Sequence, residues 1–407
     1  MFLFVDFNSF FASVEQQLHP ELRGRPVAVV PTLAETTSCI AASYEAKAFK
    51  IKTGTPVWEA RQRCSSIVFI MGDHKNYIEF HNRILQSIDK CVPVSHVMSI
   101  DEMACELMGR EKKIENAREL AFKIKKQLAK DVGEFVKCSI GIAPNRFLAK
   151  VASDMHKPDG LTIVEPHDIP KKFFVLKPRD FPGIGPNMEK RLLRAGIDTT
   201  VKLYAQDMEA LKNIWGGIGG EYFYRVIRGE EIERVESVRK SVSHSHVLPP
   251  NLRTEEGAYA VLQKLLHKAA IRLRKYGFWC RHMNIAVRYV DRDRWTEGRR
   301  ILETQDDLSL LQVLTDLWNS PRPQKVPMKV SVWLSELVPD AQHSYNFFEN
   351  EKHLRLSRTL DQIHTKFGRS AIYFLGTHKA RTAAPIRISF TNIPELDDGE
   401  TYDDEEA

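Results

Sequence analysis

Long apolar runs are missing from this sequence. None approaches the ~20 consecutive apolar residues that a membrane-crossing helix requires, so no membrane partner is expected. The opening residues, MFLFVDFNSFF, have neither a basic n-region nor a cleavage site, which argues against a secretory leader. Cysteine is sparse. The six residues at 39, 64, 91, 105, 138 and 280 form no C-x-x-C pair and no tight framework, so disulfide scaffolds and zinc ribbons are excluded. Repeats at solenoid periods are absent too. A reduced, cytoplasmic, multidomain protein is the expectation.

There is ample material for folded domains. The chain has 407 residues, 43% hydrophobic and 28% charged, and at about 150 residues per domain it accommodates roughly three. Its net charge of +6 understates the basic character, because residues 395–407 are rich in Asp and Glu and hold no Lys or Arg. That segment reads as a disordered acidic tail, and the remainder favours a polyanionic partner such as nucleic acid. A solvated basic enzyme surface would account for the composition equally well.

Patterning divides the chain into α/β, then all-helical, then α/β regions. An apolar strand at 1–5 ends at Asp6 and runs into a helix beginning with Phe10 and Phe11. A valine-rich strand is expected at 26–31, and amphipathic helices at 73–89 and 114–130. Residues 97–107 read as one strand around Asp101 and Glu102, followed by another strand at 137–142 and a helix through 152. The stretch 171–235 is helical and punctuated by glycine. Strands are expected at 240–247, 282–290 and 328–336 with two helices between them, and one more helix near 355–367.

Asp6, Asp101 and Glu102 carry the first chemical signal. Carboxylates at the ends of apolar strands are costly unless metal or hydrogen bonds compensate them. Magnesium takes oxygen ligands, commonly a few carboxylates with substrate phosphates, and two such ions can clamp an in-line phosphoryl displacement. Three surface acids at strand ends would give the same pattern, and only the fold can bring residues 95 positions apart together.

The surrounding motifs are more specific. FVDFNSFFASVE around Asp6 and SIDEMACEL around Asp101-Glu102 resemble the two metal-binding motifs of the Y-family translesion DNA polymerases. Tyr44-Glu45-Ala46-Lys47 resembles that family's Y-E-A-R motif, and GIAPNRFLAKVASDMHKPDG (141–160) its third palm motif. Order and spacing agree from residue 1 to about 345.

The resemblance implies a multidomain α/β (α+β) right-hand polymerase. It would have a palm at 1–170 with fingers inserted at about 20–75, and a thumb with a helix–hairpin–helix at 171–235. A linker at 236–242 would lead to a DNA-gripping little finger at 243–342, followed by an extension at 343–394. The implied activity is that of a low-fidelity DNA-directed DNA polymerase using dNTPs on primer–template DNA, without proofreading. A catalytically silent paralogue acting as a clamp- and polymerase-binding scaffold is the alternative.

By the same resemblance, Asp6, Asp101, Glu102 and the backbone carbonyl of Phe7 would hold two Mg²⁺ ions. Tyr44, Lys47 and Lys150 would contact the triphosphate, and Phe11 would be the steric gate that excludes a 2′-hydroxyl. Lys47 replaces the usual arginine, keeping the charge but losing the planar fork. Asn8 stands where many members carry a second acid. Ala41 and Ala42 suggest an open roof over the nascent base pair.

Gly183 and Gly185 read as a hairpin turn before a helix, where free N–H groups receive a DNA phosphate. The region 240–340 holds 16 Lys or Arg against 11 Asp or Glu, a modestly basic balance that favours the DNA-gripping reading. Arg239, Lys240 and Arg288, with Arg292 and Arg294, are the candidate phosphate contacts. Gln342, Tyr345, Phe347 and Phe348 resemble a degenerate sliding-clamp-binding peptide. Residues 355–374 resemble the C-terminal part of the catalytic subunit of the bacterial SOS-induced mutagenic polymerase, which implies SOS accessory proteins as further partners.

Overall fold

The computed structural model describes residues 1–233, 238–344, 350–368, 371–384, 388 and 393. The acidic tail and the expected clamp contacts Tyr345, Phe347 and Phe348 lie outside the described residues. The chain forms two compact units, Met1–Arg234 with Ile388–Pro394, and Val235–Arg387 with Glu395–Ala407.

The first unit begins with strand β1 (Phe2–Phe7), whose six residues are all buried. A strand apolar on both faces belongs in the middle of a sheet. Helix α1 (Phe10–Leu18) follows, then β2 (Val27–Val30), β3 (Ala41–Ala42), α2 (Tyr44–Ala48), α3 (Val57–Arg63) and β4 (Val68–Met71). Strands β2, β3 and β4 form a separate three-stranded sheet, ordered β3-β2-β4, that interrupts the main fold. Helix α4 (His74–Asp89) is started by Asp73, whose side chain accepts from the amides of Lys75 and Asn76.

The main sheet then resumes with β5 (His96–Ser99) and β6 (Glu102–Glu106), followed by α5 (Ile114–Asp131), β7 (Cys138–Ala143), α6 (Arg146–Met155) and β8 (Leu161–Ile163). Its order is β5-β6-β1-β7-β8, with β1 antiparallel to both neighbours. The single strand expected at 97–107 is therefore two strands around a tight turn. The cause is local: the Ser99 hydroxyl donates to Asp101 Oδ1 at 2.6 Å and accepts from the Asp101 amide at 3.3 Å, closing a turn in place of the ladder.

The helical stretch comprises α7 (Pro186–Arg194), α8 (Thr200–Tyr204), α9 (Met208–Trp215) and α10 (Ile218–Ile227). Its Phe173, Phe181, Leu192 and Phe223 share one core with Phe2, Phe4 and Leu148 of the sheet layer.

In the second unit the order is β9 (Ser241–Val247), α11 (Glu255–Lys275), β10 (Phe278–Tyr289), β11 (Arg294–Thr304), α12 (Asp307–Trp318), β12 (Pro327–Pro339) and α13 (Glu351–Phe367). The antiparallel sheet runs β11-β10-β12-β9, and the apolar residues of its inner face pack with those of α11 and α12. β11 was not expected from sequence. It is an edge strand with charges on both sides, RWTEGRRILET, so it lacks the apolar alternation that marks a half-buried strand.

Helix α13 is bonded into this unit. Asp361 accepts from Arg274 Nε at 2.6 Å and Nη2 at 2.8 Å, and Ser357 Oγ accepts from the Asp307 amide at 3.0 Å. Arg274 also meets Asp307 at 2.9 Å, and His267 Nδ1 meets the same carboxylate at 2.7 Å. All six cysteines are free. No helix among the described residues is long and apolar enough to cross a membrane.

Candidate active site and nucleic-acid face

Pairing of β1 with β6 sets Asp6 directly opposite Glu102, and the Phe7 amide donates to the Asp101 carbonyl at 2.9 Å. Sheet register thus closes the sequence gap between the acids. Helix α6 lies directly on β7 because residue 141 is glycine: a Cβ there would come within 2.0 Å of the Ala149 carbonyl oxygen. That close approach delivers Lys150 to the acids. Its Nζ contacts Asp6, Glu102 at 2.7 Å and Asp154 at 3.2 Å. Lys157 completes the cluster, reaching Asp6 at 2.6 Å and Asp154 at 2.8 Å.

Electrostatics here are unbalanced. Asp6 is only 4% exposed. Burial pushes the Asp101 carboxyl up to about 6, with Glu102 and Asp6 adding to the rise and the Ser99 bond opposing it. Burial would lower the Lys150 ammonium, but Asp6, Asp154 and Glu102 outweigh it and hold the group above its ordinary value. Lys157 was missed from sequence because a lysine in a Lys-Pro-Asp-Gly loop reads as solvated, and only the fold reveals its partner.

Tyr44 and Lys47 stand one turn apart on α2, which Ser43 caps by accepting from the Ala46 amide. Lys47 Nζ lies 4.2 Å from the centre of the Tyr44 ring. Burial raises the Tyr44 phenol to about 12, with Asp6 and Asp154 contributing. Burial also lowers the Lys47 ammonium, as does neighbouring Lys157. Beside them is a cleft of about 100 Å³ lined by Phe10, Phe11, Ala41, Ala42, Lys47 and Asp101 among others. Asn8 takes no part in the acid cluster. Its Oδ1 accepts from the Asp159 amide at 2.8 Å and its Nδ2 donates to Ser139 at 3.1 Å, tying the Lys157 loop to the sheet.

Asp6, Asp101 and Glu102 fit a divalent cation in kind: all offer oxygen, and Asp101 is half-buried against like charge. Among the described residues, no three acidic, His or Cys side chains are arranged to hold a metal ion; Asp6, Glu102 and Asp154 meet at the Lys150 ammonium instead.

The other expected contacts are dispersed. Gly183 (φ +88°) and Gly185 form the turn that starts α7, with Pro186 at its first position, and a Cβ at either glycine would meet nothing within 4 Å. What precedes the turn is a pair of 3₁₀ turns, Lys171–Phe173 and Pro178–Asp180, and not the expected helix, because prolines 170, 178 and 182 punctuate the segment. Arg239 stacks on Tyr276, its guanidinium carbon 3.9 Å from the ring centre, while Lys240 is exposed. Gln342 is exposed and ends a 3₁₀ turn.

Arg288 has the more informative position. It pairs in register with Arg294 on β11 and Lys329 on β12, so three cations share one row on the sheet face away from the helices. None of the three forms an ion pair with a described residue. The same face presents Asn284, Ser331 and Trp333, which sequence reasoning missed because no motif marks them. Arg292 is the one left-handed non-glycine residue of the β10–β11 turn, at φ +75°.

The profile of the impB/mucB/samB family matches residues 5–154, and that of its C-terminal domain matches residues 239–347. DNA polymerase IV of Moorella thermoacetica is 35% identical over 91% of this chain and 94% of its own length. The chain belongs to the Y family of bacterial translesion DNA polymerases. It is thus a DNA-directed DNA polymerase with the α/β right-hand fold. Among solved structures, a Y-family polymerase chimera of Dbh and Dpo4 covers 83% of this chain and 99% of its own at TM-score 0.70 and 27% identity. An insertion ternary complex of Dbh DNA polymerase covers the same shares at TM-score 0.55 and 27% identity.

Proposed function

We propose that this Y-family polymerase adds dNTPs to the primer 3′-hydroxyl of primer–template DNA at the Asp6–Asp101–Glu102 cluster, with low fidelity and without proofreading. The observation that carries the reading is the meeting of Asp6 and Glu102 at Lys150, beside the cleft bordered by Phe11. Asp6, Asp101, Glu102 and the Phe7 carbonyl would hold two Mg²⁺ ions, which when bound supply charge neutralisation at the transferring phosphorus and activation of the attacking oxygen.

The chain's own residues do the rest. Lys150 and Lys157 hold Asp6 in place as cations, and each can turn from carboxylate to polyphosphate when the substrate brings its own negative charge. Tyr44 stays a neutral phenol far above neutral pH and donates a hydrogen bond to a phosphate oxygen. Lys47, lacking the arginine fork, offers a point charge and holds phosphate geometry more loosely. Phe11 lies under the sugar, and the small Ala41 and Ala42 leave room above the base.

The palm, fingers, thumb and little finger would occupy 1–170 (fingers about 20–75), 171–235 and 243–342. The turn at Gly183 and Gly185 would receive a backbone phosphate, and the row of Arg294, Arg288 and Lys329 would grip the duplex. Like charges directly opposite one another cost stability in a sheet, and a polyanion compensates that cost. Such contacts position the duplex without reading its sequence. Gln342 to Phe348 would bind the sliding clamp, and SOS-associated accessory proteins would act on the chain in the cytoplasm.

Extension of a primer across an abasic template site, run beside an undamaged template, tests the proposal. Distributive extension past the abasic site, with a 3′-mismatched primer left undegraded, is expected. Arrest at the lesion on both short and long incubation would refute the translesion role, and primer shortening would refute the absence of proofreading.

A further inference from the structure

Helical spacing places Phe11 and Glu15 on one side of α1, four residues apart. Tyr77, in the first turn of α4, touches both. Its ring stacks on Phe11 with centroids 4.2 Å apart and planes 17° from parallel, and its hydroxyl donates to Glu15 Oε1 at 2.6 Å. Tyr77 is fully buried and Glu15 is 3% exposed. His74 stands edge-on to both rings, 6.4 Å from Phe11 and 6.0 Å from Tyr77.

This arrangement is expensive for packing alone. Burial pushes the Glu15 carboxyl up, against the bond from Tyr77 that lowers it. An apolar side chain at 15 with phenylalanine at 77 would fill the same space without a buried polar pair. The bond adds orientation. A stacked ring can slide or rotate on its partner, whereas a phenol anchored at its far end cannot. Because the anchor lies on the helix that carries Phe11, the path from Phe11 through Tyr77 to Glu15 closes on itself and fixes the Phe11 ring at the rim of the cleft.

We propose that Glu15 is a positioning residue for sugar selection, acting through the Tyr77 hydroxyl to hold the Phe11 ring where it excludes a 2′-oxygen. The proposal rests on the reading of Phe11 as the sugar-facing residue.

The test is single-nucleotide insertion of dCTP and of CTP opposite template dG by the full chain, comparing kcat/KM for the two sugars. Wild type, Phe11→Ala, Tyr77→Phe, Glu15→Gln and Glu15→Leu are run together with their melting temperatures. Phe11→Ala should lose about 10²-fold of the discrimination, the scale of a misplaced reacting geometry. Tyr77→Phe keeps the ring but not the anchor and should lose about tenfold, through faster CTP insertion, with dCTP insertion within about threefold of wild type. Glu15→Gln retains an acceptor and should discriminate like wild type, while Glu15→Leu should match Tyr77→Phe if it folds.

Wild-type discrimination by a folded Tyr77→Phe, with Phe11→Ala defective, would overturn the proposal. Wild-type discrimination by Phe11→Ala would instead overturn the reading of Phe11 and the proposal with it.

Discussion

In the first unit, the central strand β1 holds Asp6 at 4% exposure, gripped by Lys150 and Lys157. In the second, β10 holds Arg288 on an open sheet face between Arg294 and Lys329. Both sheets set charge on interior strands, but they treat it differently. Buried acids need partners at fixed positions, so the first sheet commits named side chains from α6 and the Lys157 loop to satisfy them. Solvated cations tolerate many arrangements, so the second sheet states only a sign and a spacing. Chemistry that must place atoms suits the first kind of charge, and a contact that asks only for sign and spacing suits the second.

Neutralising Asp6 is the severest way to break this comparison. Asp6→Asn should reduce nucleotide insertion by about 10³-fold, the scale of losing a key transition-state charge partner, as measured by steady-state insertion kinetics. It should also lower the melting temperature, because Lys150 and Lys157 lose their buried partner and share only the more exposed Asp154, whereas Asp101→Asn should not, because burial already opposes the Asp101 charge.

The second unit also holds a charge cluster of the buried kind, around Asp307 at 5% exposure. Arg274 joins Asp307 and Asp361, so Arg274→Leu should cost about 3 kcal/mol in chemical denaturation by leaving Asp361 without this partner and Asp307 with His267 alone. The open row is milder. Replacing Arg288, Arg294 and Lys329 together by alanine should lower the slope of log affinity against log salt for duplex DNA by about 3. Arg300→Ala, whose guanidinium is already paired with Glu336 at 3.0 Å, should change it less.

The smallest effect is in acid. The Asp307 carboxyl, though pushed up by burial, is held below its usual range by the bond from His267 and by Arg274. A depressed folded-state value contributes stability above the ordinary carboxylate range, about pH 4, and loses it as pH falls through the lower folded value. Melting temperature should therefore fall more steeply below about pH 4 in wild type than in Asp307→Asn.

The same division explains what could be read from sequence. Asp6 and Asp101-Glu102 stood out because acids rarely interrupt apolar strands, and Tyr44, Lys47 and Lys150 through the motifs around them. Lys157 did not, since its role exists only once the loop held by Asn8 folds back on Asp6. The turn at Asp101 was hidden because it depends on two hydrogen bonds between Ser99 and Asp101, and β11 because an edge strand with charged residues on both faces carries no apolar period. Arg288 was a fair candidate, but its row with Lys329 belongs to register. The open face offers no motif, since its cations come from three strands and meet only through register.

Primer extension with Mg²⁺ and dNTPs, comparing wild type with Asp101→Ala at matched DNA occupancy, tests the central claim most directly. The acid cluster as the site of nucleotidyl transfer predicts extension by wild type and none by a folded variant that still binds DNA. Extension by Asp101→Ala at the wild-type rate, or a folded and DNA-bound wild type that adds no nucleotide, would contradict it, and the second result would point to a scaffold.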